Sequence, residues 1–421
     1  MPPTATPDSY AVAAGGQVRA GVAYTPSWIA AQALNTWGTI PASNTLASLN
    51  PDNDPAINPN YPSAAPWRST GNWATIATAW CGMAFDPVTG RGYWVDAGGH
   101  NDQHANGVIM LDLNRDVPLY SWLRKPSGAI GQPTIAGTEW SQSPQVAEFS
   151  DGRPRARHTV NMTFYWPGIG PGNITEILLS PSGGYESGRL KPYVVSAATG
   201  ERTYLGANKL NEPSGGWCAS CYDPVRNVVW KRPTSSNTPF AKWGGPSDDT
   251  WTNVGSSIDF AGSVSLCHIP GHDVILVGNG GNDAGNLQSV VGGWAVFDPA
   301  TGTMYYPTFT GAPSTAPNGD ASGLWPGICQ PQWAPSLGAA LAWDMSSGHT
   351  TKILKIAPPA SGDPRTAAWT LSYLTVDGAN AVTPSAAAAT GTYGRFWVWD
   401  THKVCGVLNA ASEGGFFFRY G

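Results

Sequence analysis

Charge is what this sequence has least of: Lys, Arg, Asp and Glu together make up 12% of its 421 residues, about half of the roughly 25% usual for soluble domains. The formal net charge is −5 with no basic cluster, which excludes a phosphate-backbone binder. No apolar run approaches about 18 residues, so no helical membrane span is expected. The first residues, Met-Pro-Pro-Thr-Ala-Thr-Pro-Asp, have neither a basic n-region nor an apolar core, and no secretory signal is expected. Without export, the Asn-x-Thr matches at Asn161 and Asn173 carry little weight. Helix-period stretches are scarce, and only 28–34 passes as a short helical turn. There is no Gly-x-Ser-x-Gly elbow, P-loop or dinucleotide fingerprint, which removes the common hydrolase and nucleotide-binding classes.

What the chain has in excess is 51 Gly, 37 Pro and 20 Trp, the raw material of turns and aromatic packing. The stretch 79–123 organises the rest. Four short apolar runs, 80–85, 92–95, 107–113 and 119–123, are separated by the turn signals 86–90, 98–102 and 114–116. Four consecutive strands of this kind make an antiparallel meander, and one such sheet alone leaves both apolar faces wet, so it must stack between copies of itself. The copies are present: the first hairpin recurs around Pro167, Pro224, Pro270, Pro335 and Thr401, in the place Pro87 has in the first unit. The second hairpin recurs around 198–200 and 298–302. Six units result, spaced by roughly 45 to 80 residues against about 50 for kelch-type blades.

Gly98-Gly99 and Gly280-Gly281, each after a second strand and followed by a polar loop and an apolar run, resemble the kelch repeat. The chain is thus similar to kelch-like and galactose-oxidase-like β-propellers. The expected fold is all-β: a six-bladed β-propeller with four-stranded antiparallel blades. The sixth unit runs out of strands after 414–420, while 34–41 looks like a strand without a blade. Residues 36–40 are therefore expected to pair with 416–420 and close the ring, giving a last blade of three strands plus one and removing two sheet edges. The domain plan is an N-terminal arm at 1–33 and a propeller at 34–421, with 34–41 as closing strand and 42–73 as an extended connector.

Six cysteines invite a disulfide framework, but Cys81, Cys218 and Cys329 hold the same place in the first strand of three different units. Buried thiols are the expectation. Cys218 and Cys221 have C-x-x-C spacing, but on a strand residues three apart face opposite ways.

In a four-stranded meander the second turn and the crossing to the next blade share one rim, and most long loops fall there: 97–106, 125–156, 233–249, 308–325 and 377–392. That rim is the candidate binding face. Its candidates are His100, Asn101, Asp102 and His104 in one polar turn, Asn282 and Asp283 at the equivalent turn three units on, and Arg155, Arg157 and His158 as a cationic corner for a glycan carboxylate or sulfate. Trp140, Trp243 and Trp325 are aromatic faces suited to sugar rings. Two imidazoles and a carboxylate within 100–104 could hold a metal, but the copy at 280–286 has no His, and Asn and Asp bonding to turn backbone explains both. No metal or cofactor is expected.

The galactose-oxidase resemblance implies copper held by two Tyr and two His, and this chain has no adjacent Tyr-His pair. Sialidase-like propellers repeat a Ser-x-Asp turn that 247–251 does not match. A glycosidase needs converging carboxylates, for which Glu139, Glu148 and Glu212 are the rim candidates. The reading reached is a non-catalytic recognition protein: a virion-borne, phage-tail receptor-binding protein released by lysis, its arm docked to other tail proteins and its long-loop rim facing host surface glycan. The alternatives are a propeller enzyme on the same rim, either a glycan depolymerase or a copper oxidase, and a kelch-type adaptor for a partner protein.

Overall fold

The computed structural model describes residues 24–58, 73–78, 81–96, 105–135, 149–154, 156, 159, 161–167, 173–177, 192–204, 219–232, 238–244, 251–258, 264–279, 293–311, 329–345, 348–388 and 391–421. Strands follow the apolar runs closely. The organising meander is β2 (Ala84–Asp86), β3 (Arg91–Val95), β4 (Val108–Asp112) and β5 (Leu119–Arg124), paired in that order. Asp86 makes the first turn by accepting from the Val88 and Thr89 amides, an Asx turn.

The second sheet is β6 (Thr163–Trp166), β7 (Asn173–Ile177), β8 (Pro192–Ser196) and β9 (Arg202–Tyr204). The third is β10 (Ala219–Asp223), β11 (Val228–Arg232), β12 (Thr238–Trp243) and β13 (Thr252–Ile258). The fourth is β14 (Val264–Ile269), β15 (Val274–Asn279), β16 (Trp294–Asp298) and β17 (Thr303–Tyr305). The last joins β23 (Phe396–Trp399), β24 (Val404–Val407), β25 (Phe416–Arg419) and β1 (Thr36–Thr39) in the order β1-β25-β24-β23. Thr36 faces Arg419 and Thr39 faces Phe416, the pairing expected of the closing strand.

The expectation of six four-stranded antiparallel blades is corrected: five sheets have that build and the remaining one does not. It contains β19 (Gln332–Ala334), β20 (Ala339–Trp343), β21 (Ile353–Ala357) and β22 (Trp369–Tyr373), and adds β18 (Phe309–Gly311) at its edge, parallel to β22. The physical reason is that Phe309 is only 3% exposed. Its segment, expected as part of a rim loop, instead buries that ring beside Trp369 and covers the outer edge of the sheet. A second expected rim loop, 233–249, is likewise occupied by β12.

First strands of consecutive sheets pack side by side in the order β2, β6, β10, β14, β19, β23. The ring closes where Arg395, beside β23, donates from Nη1 to the Cys81 carbonyl beside β2. Around the axis, Asn161 Nδ2 reaches the Val264 carbonyl at 2.8 Å, and Gln330 Nε2 lies 3.2 and 3.3 Å from the Ser220 and Leu266 carbonyls. The innermost layer is therefore tied across non-adjacent sheets by side-chain amides.

Between sheets the core is tryptophan. Ten indoles are among the largest fully buried side chains, and two of them donate their N–H to a turn of another sheet. Trp37 of β1 bonds the Thr351 carbonyl at 2.8 Å, and Trp166 bonds Asn227 at 3.0 Å. The described cysteines are buried, which pushes the Cys267 and Cys329 thiols up to about 12. Within the arm, Ser27–Ala30 is one helical turn whose Trp28 packs edge-on against Phe417 at 4.5 Å. Within 42–73, expected as an extended connector, Leu46–Leu49 and Pro51–Asn53 form tight 3₁₀ turns, and Trp73 Nε1 bonds the Leu46 carbonyl.

Candidate functional site

The long loops 97–106 and 125–156 both leave from the junction between the first and second sheets. Their roots are held by one buried network. Asp96, the last residue before the first loop, has φ +47, a left-handed conformation that Asp tolerates better than most residues. Its carboxylate accepts from Arg202 Nε at 3.0 Å and from Nη2. The side chains are 0% and 4% exposed, so this is an interior ion pair. Asn106, at the far end of the same loop, donates to Ser127 Oγ at 2.9 Å and to the Pro154 carbonyl at 2.7 Å, while its own oxygen accepts the Ser127 amide. Ser127 Oγ donates to Asp151 at 2.6 Å, and Asp151 accepts from Arg153 Nε at 2.8 Å. Arg153 Nη1 then bonds the Lys125 carbonyl at 2.9 Å. Asn106, Ser127, Asp151 and Arg153 thereby close both loops at their bases, and every bond between them depends on the others for its geometry.

Arg124, at the end of β5, lies beside this network and is ion-paired to Glu201 of the turn before β9. Burial, with the positive fields of Arg153 and Arg202, pulls its guanidinium down to about 10. Burial also lowers Arg153, against the pull of Asp151. The Gly200 turn makes this meeting possible: its φ is +70, and a side chain there would press on Arg124 Cβ.

A second cluster sits between the third and fourth sheets, where the first hairpins of two units touch. Asp223, His268 and Asp273 bring three ligand-type atoms within 4.8 Å of one another. The space is already occupied by a cation: Arg226 forks onto Asp273 at 2.6 and 2.8 Å and reaches Asp223 at 3.0 Å. Asp223 also accepts the Val225 and Arg226 amides and the Trp230 indole. His268 Nε2 lies 3.3 Å from Asp223, and burial lowers its pKa against both carboxylates. The chemistry of this cluster is an ion-paired hairpin junction.

Of the residues expected at the rim, His100, Asn101, Asp102, His104, Trp140, Arg155, Arg157, His158, Asn282, Asp283 and Trp325 lie outside the described residues, as do Glu139, Glu148 and Glu212. Trp243 is described, and it ends β12 fully buried, 5.6 Å from Trp166 and 5.9 Å from Trp251. It offers no face to a ligand. Sequence reasoning missed Asp96, Arg124, Asp151, Arg153 and Arg202. The one signal available was that arginines are few, so those flanking long loops and turns merit a search for partners.

These sheets, ringed about one axis and closed by β1, define the class: a β-propeller. No family model matches the chain, and no curated protein does. Among solved structures it is similar to an auxiliary nutrient binding protein from Bacteroides ovatus, at 11% identity over 92% of this chain and 76% of that one, with a TM-score of 0.45. It is similar also to the allergen Mala s 1 of Malassezia sympodialis, at 8% identity over 82% and 93%, TM-score 0.44, and to a gluconolactonase from Xanthomonas campestris, at 10% over 90% and 96%, TM-score 0.39. Likeness at this level carries nothing about activity, and the fold rests on the chain's own strand pairing.

Proposed function

We propose that the protein is a non-catalytic recognition module that holds a surface glycan on the rim carrying the 97–106 and 125–156 loops. The observation that carries this reading is the buried Asn106–Ser127–Asp151–Arg153 network, which fixes the roots of both loops to one rigid platform. Binding loops gain affinity when their supports are ordered before the ligand arrives. The carboxylates gathered at the two clusters described above are each engaged by an arginine, which suits them to support and not to general acid–base work. A chain with only 12% charged residues and no basic cluster favours sugars over nucleic acid.

On this reading the protein belongs to a virion tail, with residues 1–33 as the arm that docks to other tail proteins and host envelope glycan as the ligand. Incubation with host envelope polysaccharide tests it, monitoring both retention of the polymer and release of reducing ends. Retention without cleavage is the expected result. Cleavage assigns the rim to an enzyme, and failure to retain any polysaccharide sinks the recognition reading. Docking of the arm is tested by comparing the 1–421 chain with 24–421, which lacks most of the arm, for incorporation into particles.

A further inference from the structure

Three arginines meet where the first sheet joins the second, and their counter-charges are unequal. Arg202 is matched by Asp96 and Arg153 by Asp151, all four side chains being at most 6% exposed. Among the described residues Arg124, 15% exposed, is ion-paired only to Glu201, whose side chain is 64% exposed. Among the described residues, the buried N–H groups Arg124 Nε, Arg153 Nη2 and Arg202 Nη1 are nevertheless left without an acceptor. A buried guanidinium N–H with no acceptor is costly, and its usual partner is an oxyanion presented edge-on to the planar fork.

We propose that this junction is an oxyanion site for the carboxylate of a uronic acid or the sulfate ester of an acidic glycan, with Glu201 occupying its mouth in the unliganded protein. This rests on the recognition reading above and names the ligand class. The way in lies through Glu201, because it and Arg124 are the exposed members of the group. When Glu201 swings out, three guanidinium groups face two carboxylates among the described residues, and one anionic ligand group restores neutrality.

The experiment is calorimetric titration of the full chain with three matched oligosaccharides, one bearing glucuronate, one bearing a sulfate ester and one neutral. The expected result is at least about tenfold tighter binding of an acidic form than of the neutral one, fading as salt rises. Arg124→Gln abolishes that preference, and Glu201→Gln tightens acidic binding about threefold by removing the resident competitor. The arm that binds tighter tells uronate from sulfate. Equal affinity for acidic and neutral forms in the wild type, or a preference untouched in both variants, overturns the site while leaving recognition standing. If no oligosaccharide binds, recognition itself fails. The site is then judged by free glucuronate and inorganic sulfate: a rise in Tm that Arg124→Gln removes supports it, and no rise overturns it.

Discussion

Asp96 is held in a left-handed conformation, has no exposed side-chain surface and is paired with a buried arginine. Asp96→Ala leaves Arg202 as an uncompensated interior cation, and a loss of about 3–5 kcal/mol is expected. Asp96→Asn keeps a residue tolerant of positive φ and a neutral acceptor, so its cost is smaller. Urea denaturation of the two variants beside the wild type checks the order. His268 makes a pH prediction. It faces Asp223, Asp273 and Arg226, and its folded-state pKa lies below the unfolded imidazole value. The unfolded chain therefore takes up the proton first. The His268 contribution is complete above about pH 6.5 and is lost as pH falls through that value toward the folded pKa. Denaturation at pH 7.5 and pH 5 is expected to show a smaller acid loss in His268→Gln than in the wild type.

At the scale of elements, the added strand β18 is held by a glycine. Gly311 has φ +107, and a side chain there would run into the Leu371 carbonyl. Gly311→Ala is expected to cost about 1–3 kcal/mol and to detach β18 without unfolding the ring. Faster hydrogen exchange at the Trp369 amide, which donates to the Thr308 carbonyl at 2.9 Å, reports it. This element was also the least legible one in the sequence. The strands of 79–123 could be read to within a few residues, because alternating apolar residues and Asp-Pro or Asn-Arg-Asp turns carry local signals. The parallel edge strand has no turn to its partner and a length of three residues, so only its burial betrays it. Trp243 was misplaced for a related reason: 233–249 is rich in Gly, Pro and Ser, yet its middle residues alternate enough to form β12. The Asp96–Arg202 pair spans 106 positions, and no local pattern announces such a contact.

Closure is the property of the whole molecule. One sheet mixes a strand from near the start of the chain with three from its end, and Trp37 is the plug, fully buried, 5.5 Å from Phe418 and bonded to the Thr351 carbonyl. Trp37→Ala removes that plug, at an expected cost of about 3–5 kcal/mol. Because β1 supplies one edge of the closing sheet, the loss is expected to appear as early hydrogen exchange at 36–39 and 416–419 before global unfolding. Uniform loss of protection around the ring would refute the idea that closure is the weak point.

The same seam sets a timetable for synthesis. Thr39 waits for Phe416, 377 positions later by subtraction, which at about 5–20 residues per second is about 20–75 s on the ribosome. Throughout that interval the nascent polypeptide carries an unmatched edge at one extremity and growing sheets at the other. A rearranged gene that opens the circle between two blades and joins 421 to 24 would make both halves of the seam neighbours in time, and should shorten the period of vulnerability.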